Sequence, residues 1–330
     1  MLFKRGYALF LLFFAVLLHC GAAHASTATF KLAHMSEPNS PLGFGAEKLA
    51  ELAHTYSNGA ISIKVFHSGQ IGEQRKLVES LRYGLTDMVM VSSSFLAEYI
   101  PGMRVFELPF IFRSDDHAYH ALDTVGMDVA KGGELLGFKT LSFMENTQRN
   151  LCSGVTTLRS PLDLRGRYMG VRKEARFSHL MLFYMGARPV NLADADLDFA
   201  VRRGDIDGQE CTPGEIWERP FASIQKHISM TAHSYSAESV LISMAVWERL
   251  GPPEREALLL AAREAADWQR GLCRKVNAYF LLKLHNQGLT KIVSRVDRRL
   301  FEDAAKPVWK IFASEVTGGQ EIIDRIRGVP

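Results

Sequence analysis

The chain is expected to be an α/β protein of two lobes, and three observations carry that expectation. Segments of alternating polarity are followed by segments of helical apolar spacing, in the order strand, helix, strand, helix, strand. The same alternation returns after Gly137. At 330 residues the chain exceeds the roughly 100–200 residues of a common domain, and 47% apolar residues suffice for two cores. Strands that alternate with helices predict a parallel sheet covered on both faces.

The first element precedes the fold. Lys4 and Arg5 stand before an apolar run from Tyr7 to Leu18, and Ala23-His24-Ala25 places small residues at both positions that a signal peptidase reads. This reads as a secretory signal peptide over residues 1–25, cleaved after Ala25. The run is shorter than the roughly 20 apolar residues that span a bilayer, and no later stretch reaches about 18, so no membrane insertion is expected after cleavage. Lipidation at Cys20 is the competing reading, weakened by His19 where such sites need a small residue.

Residues 28–34 alternate as a strand, Leu42 to Tyr56 reads as an amphipathic helix ended by Ser57-Asn58-Gly59, and Ile61 to Phe66 is a second strand. A loop bracketed by Gly69 and Gly72 leads to a helix over 73–83 and an apolar strand, Met88 to Val91. In the second half, strands are expected near 138–143 and 168–172, with helices over 175–185 and from 194 to Gly204. A long helix begins after Gly251-Pro252-Pro253 and runs toward Leu284. At 1.5 Å per residue it covers about 45 Å, enough to lie across both lobes.

Composition bounds the function. Removing residues 1–25 takes away two basic residues and no acid, so 39 Lys+Arg become 37 against 36 Asp+Glu, a net charge of +1. A near-neutral chain without long basic blocks gives no reason to expect nucleic acid. Cleavage also leaves Cys152, Cys211 and Cys273, an odd number in an exported chain, so at least one thiol stays unpaired. Without CxxC spacing these read as buried small hydrophobes. No GxSxG, HExxH or phosphate-loop motif is present. His117 and His120 beside Asp115, Asp116 and Asp123 read as a solvated helix start, and Asp194, Asp196 and Asp198 as helix caps without the Gly and Glu of a calcium loop. No catalytic residue, cofactor or metal is expected.

Motifs in order along the chain carry a resemblance. They include Ser68-Gly69-Gln70-Ile71-Gly72-Glu73-Gln74, Leu108-Pro109-Phe110, Pro161-Leu162-Asp163-Leu164-Arg165-Gly166, Gly186-Ala187-Arg188-Pro189, and Gly204-Asp205-Ile206-Asp207-Gly208-Gln209-Glu210 followed by His233-Ser234-Tyr235-Ser236. From Leu32 onward the sequence resembles the periplasmic solute-binding proteins of tripartite ATP-independent periplasmic (TRAP) transporters, the C4-dicarboxylate-binding type. The resemblance implies a two-lobed periplasmic-binding-protein fold with a ligand cleft between the lobes and a long helix spanning them. Lobe I would comprise 26–146 and 237–276, and lobe II 147–236 and 277–330. It also implies a periplasmic protein that is not an enzyme. Such a protein captures a small solute by cleft closure and delivers it to separate small and large permease subunits in the membrane. A sensor of the same fold that feeds a membrane kinase is the alternative.

Two departures from the family pattern bear on the ligand. The central Arg that pairs with a ligand carboxylate aligns with Gly170, and the Asn after Gly-Gln-Glu is Cys211. Arg172, on the same side of the strand by its period of two, is the candidate replacement unless it faces solvent. Arg149 matches a second ligand-reaching Arg, with an interlobe salt bridge as its other reading. An organic acid held by Arg149 and Arg172 is the favoured ligand, and a cationic solute drawn to acids such as Asp194 the other. Further cleft candidates are His34, Glu73, Gln74, Ser92, Ser93 and Trp217, with Phe177 as a wall.

Overall fold

The computed structural model describes residues 28–218 and 223–330, so the expected signal peptide lies outside the described residues. One nine-stranded sheet runs through the molecule in the order β2-β1-β3-β8-β4-β7-β5-β6, with β9 paired to β8. Its strands are β1 (Ala28–Ala33), β2 (Ile61–Phe66), β3 (Met88–Ser92), β4 (Phe138–Ser153), β5 (Tyr168–Arg172), β6 (Arg188–Leu192), β7 (Gly208–Cys211), β8 (His227–Ser243) and β9 (Lys291–Val293).

The first half is the anticipated parallel unit. β1 pairs in parallel with β2 and β3, and the connections are α1 (Pro41–Tyr56) and α2 (Gln74–Arg82). Ser40 caps α1 by accepting from the Gly43 amide (3.1 Å). The second half repeats the plan, with β5 parallel to β6 and β7 and with α3 (Arg176–Tyr184) and α4 (Asp194–Arg203) as connections. Gly204 ends α4 in the left-handed region (φ 75°).

The sheet as a whole is mixed rather than parallel, which corrects the sequence expectation. β4 and β8, of 16 and 17 residues, pair with each other in antiparallel fashion and run through both halves. β8 is also antiparallel to β3, and β4 to β7. Their register breaks between Glu145 and Gln148, where the pairing passes from Glu145↔Ala237 to Gln148↔Tyr235. Three steps on β4 thus oppose two on β8, a bulge that bends the pair between the halves. Thr147, inside the bulge, has φ 61°.

The long helix braces this bend. α6 (Pro252–Gln287) follows the short α5 (Pro213–Glu218), and its 36 residues cover about 54 Å. Ala257, Leu258, Ala261, Ala262, Ala265 and Ala266 form its buried stripe, packed with Leu42, Ala46, Leu49 and Ala53 of α1. Small side chains let the two helices approach closely. One turn further on, the stripe becomes polar where it meets β4. Gln269 exchanges two 2.8 Å bonds with the backbone of Glu145. Arg270 donates to Asp123 (2.7 Å twice) and to the Phe143 carbonyl (2.8 Å), and Asn277 bonds Thr147. Gln269 and Arg270 are buried, and their bonds to the β4 backbone, with that of Asn277 to Thr147, tie the helix to the bulge. Two further helices, α7 (Arg298–Glu315) and α8 (Gly319–Gly328), close the C-terminal part.

The cysteine reading is corrected in part. Cys152 on β4 and Cys211 on β7 form a disulfide with Cα atoms 6.0 Å apart, while Cys273 is free and buried. Leu151 pairs with Glu210 in register, so the two cysteines are diagonal neighbours on one face. No spacing rule in the sequence marks that proximity, because strand pairing creates it. His117 is also not solvated: it is buried, with Nδ1 accepting from the Arg113 amide (3.1 Å) and Nε2 bonded to the Ile326 carbonyl (3.0 Å).

Candidate functional site

A cavity of about 460 Å³ opens where the two halves of the sheet meet. The first half contributes Ser92 and Ser94 at the end of β3, and Glu107. The second half contributes Arg172 at the end of β5, then Glu174, Phe177 and Ser178 at the start of α3. The strands that cross between halves contribute Asn146, Thr147 and Arg149 from β4 and Ser234, Tyr235 and Ser236 from β8. Glu210, Thr212 and Glu215 come from β7 and α5. Residues at the carboxyl ends of parallel strands gather here because β3 and β5 both end at this opening.

Arg149 and Arg172 converge on a single carboxylate. Glu215 Oε1 accepts from Arg172 Nη2 at 2.7 Å and from Arg149 Nη1 at 3.4 Å. Its Oε2 accepts from Arg149 Nη2 at 3.3 Å and from the Thr212 amide at 2.8 Å. Burial favours the neutral acid, but the two guanidinium groups outweigh it and hold the Glu215 carboxyl down at about 2. Arg149 also donates to the Glu210 carbonyl (3.1 Å), and its Nε lies 3.9 Å from the Glu210 carboxylate. Behind it, His233 Nε2 bonds Glu210 Oε1 at 2.8 Å. Glu210 is buried, which favours the neutral acid, yet His233, Arg149 and Ser178 together hold its carboxyl at about 2.

Elsewhere in the wall the balance reverses. Burial pushes the Glu107 carboxyl up to about 7, with only Arg104 opposing it. Tyr235 lines the cavity, but its hydroxyl is buried away from the opening, with no hydrogen-bond partner among the described residues. The surface is therefore a guanidinium pair held on Glu215, beside serines and the carboxyls of Glu107, Glu174 and Glu210, with Phe177, 2% exposed, as an apolar wall.

The structure brings together Arg149, Arg172, Ser92 and Phe177 among the candidates from sequence. Others stand apart from the cavity. Gly170 faces away from it: a Cβ there would lie 2.6 Å from Ile206 Cδ1 and 2.9 Å from Leu197 Cδ2, within the apolar cluster under α4. Cys211 is committed to its disulfide and 1% exposed. His34 is buried edge-on against His67, and burial and that neighbour lower it to about 4. Glu73 is the exposed residue before α2. Gln74 acts from behind the wall, where its Oε1 accepts from the Ser92 amide (2.9 Å). Ser93 turns inward to Ser239 (2.8 Å). Trp217 is partly exposed beneath Lys283. Asp194 opens α4, and its side chain lies outside the described residues.

Glu215 was absent from the candidates, although the sequence carries a signal for it. Thr212-Pro-Gly-Glu215 has the spacing of a capping box. Both reciprocal bonds form, since the Glu215 amide donates to Thr212 Oγ1 (3.1 Å) and Glu215 Oε2 accepts from the Thr212 amide. Tyr235, Ser234 and Ser236 stand in a motif already noted, but the exposure of their side chains to a cavity depends on the pairing of β8.

Two α/β halves joined by crossing strands, braced by one long helix and separated by a polar cavity, define a protein that binds a small solute. Residues 32–315 match the model of the bacterial extracellular solute-binding proteins of family 7 (DctP), and the chain belongs to this family. It is a TRAP-type solute-binding protein, from a family of binding proteins rather than enzymes and with periplasmic members. It is 28% identical over 284 residues to the 2,3-diketo-L-gulonate-binding periplasmic protein YiaO of Escherichia coli, covering 85% of this chain and 86% of the relative. It is 26% identical over 316 residues to the C4-dicarboxylate-binding periplasmic protein DctP of Rhodobacter capsulatus, covering 92% of each. Among solved structures, a TRAP periplasmic solute-binding protein from Ochrobactrum anthropi superposes with TM-score 0.86 at 26% identity, over 92% of this chain and 96% of that one. One from Polaromonas, bound to D-erythronate, superposes with TM-score 0.77 at 27% identity, over 92% and 99%. Among the described residues no helix is long and apolar enough to cross a membrane.

Proposed function

We propose that the mature chain, exported by its signal peptide and released after Ala25, captures a hydroxylated organic acid in the periplasm. It then delivers the acid to the small and large membrane subunits of a TRAP permease. The observation that carries the ligand class is the convergence of Arg149 and Arg172 on one carboxylate-sized position, 2.7 to 3.4 Å from its oxygens. A planar guanidinium fork matches a carboxylate in both geometry and charge. Ser92, Ser94, Ser234 and Ser236 line the same cavity and suit a ligand rich in hydroxyl groups. D-Erythronate in the Polaromonas protein and 2,3-diketo-L-gulonate for YiaO are ligands of this kind. The lobes, 26–146 with 237–276 and 147–236 with 277–330, would close about the β4–β8 bulge.

The test is a thermal-shift and calorimetric screen of residues 26–330 against D-erythronate, pantoate, 2,3-diketo-L-gulonate, succinate and cationic osmolytes. At 100 times its dissociation constant a ligand adds about 2.7 kcal/mol of stability. An acid is expected to bind, with Arg149→Lys and Arg172→Ala each weakening it at least tenfold. Binding of a cationic osmolyte alone, or an acid whose affinity ignores both substitutions, refutes the reading.

A further inference from the structure

The guanidinium pair is already filled by a residue of the chain itself. Glu215 receives four hydrogen bonds, three from the two guanidinium groups and one from the Thr212 amide. A ligand carboxylate held by the same pair would be offered the same donors. Glu215 stands on the cavity wall with its side chain 25% exposed, so it has room to leave. Two ionised carboxylates cannot share one pair of guanidinium groups at this spacing without strong repulsion. Its capping-box bonds to Thr212 set where Glu215 starts from, since they anchor the first turn of α5 with its carboxylate within reach of Arg149.

We propose that Glu215 is an internal competitor that occupies the Arg149–Arg172 pair as a ligand carboxylate would, and so sets which acids this cleft accepts. This rests on the acid-binding reading above. An acid must displace Glu215, so its apparent affinity falls by the fraction of molecules in which the pair is occupied. Acids with only a carboxylate to offer are rejected. Those whose hydroxyls also bond the serine-lined wall recover the difference.

The experiment compares the wild type, Glu215→Gln and Glu215→Ala in residues 26–330. Gln keeps a capping-box oxygen for the Thr212 amide but carries no charge, which separates the competitor role from helix capping. Calorimetry with D-erythronate and pantoate is expected to show tenfold or greater tightening in Glu215→Gln. Equal or weaker binding overturns the proposal. A second arm titrates acetate, a bare carboxylate, from 1 to 50 mM in thermal unfolding. Acetate is expected to raise the melting temperature of Glu215→Ala by filling the vacated position while leaving the wild type unchanged. An equal response in both overturns the proposal. If none of the larger acids binds any variant, the acid-binding reading has failed and the acetate arm alone decides the role of Glu215.

Discussion

Removing the Cys152–Cys211 bridge probes how far the second half of the molecule depends on one covalent link. The bond joins β4 to β7 and closes a loop of sequence separation 59, which contains β5, α3, β6 and α4. In the loop-entropy account, cross-linking removes about 2.1 + 1.5R ln n cal/mol/K from the unfolded chain, which for this loop is about 14 cal/mol/K, or about 4 kcal/mol at 25 °C. With an unfolding entropy of about 2.1 cal/mol/K per residue over some 300 residues, that loss lowers the melting temperature by about 6–7 °C. Both sulfurs are buried with Ile216, Ile228 and Leu284, so a Cys152→Ala/Cys211→Ala protein also loses packing and should fall slightly below the reduced wild type. The assay is urea unfolding of oxidised wild type, reduced wild type and the double variant, followed by circular dichroism. Cys273 does not complicate it, because burial raises its thiol and keeps it unreactive. Cys211 lies between Glu210 and Thr212, so ligand affinity should weaken along with stability. An unchanged urea midpoint on reduction would mean that β-ladder hydrogen bonds alone set the stability of this half, and would refute the reasoning.

Further outcomes follow from other positions. Gly170→Ala should cost about 1–3 kcal/mol in denaturant unfolding, because the new methyl group meets Ile206 and Leu197; Gly170→Arg should fail to restore a family-type ligand anchor. A Gly170→Arg protein that folds normally and binds acids more tightly contradicts the placement of that position. Burial, with Tyr119 bonding and Asp115 and Arg274 nearby, leaves the Glu145 carboxyl raised to about 7. The folded state therefore holds a proton that the unfolded state releases near 4.5, and stability falls as pH rises from about 4.5 to 7. Glu145→Gln, keeping the bond to Tyr119, should remove part of that slope and be about 1–3 kcal/mol more stable than wild type at pH 8. Parallel stability profiles for the two proteins would show that Glu145 is ionised throughout.

The amino-acid sequence by itself determined the local elements and the family. Ile61–Phe66 and Tyr168–Arg172 form strands with the expected bounds, and the long helix lies where its Glu, Ala and Leu pattern placed it. These elements are legible because alternation and helical spacing record which face is buried, a property of neighbours in the chain. The latter half of β4 is not legible in that way. Met144 to Ser153 carries Glu145, Asn146, Gln148, Arg149 and Asn150, which do not alternate as a strand should. Glu145 and Asn150 are buried among them, made tolerable by distant partners such as the Ala232 amide, which donates to Asn150 Oδ1 from 82 positions away. β8 is obscured for the same reason, with Ser229, Thr231 and His233 buried along it.

The site divides along the same line. Arg149 was found from its motif and Arg172 from its nearness to Gly170, but only the tertiary structure decided that the two guanidinium groups meet, that they meet on Glu215, and that Arg172, at the end of its strand, reaches the cavity that Gly170 does not face. Whether a guanidinium reaches a cavity depends on which strand lies beside it, and strand order in this sheet joins segments far apart in the chain. Sequence patterning reports the burial of a residue. Its partner is chosen by long-range pairing, and at this cleft the partner determines the chemistry.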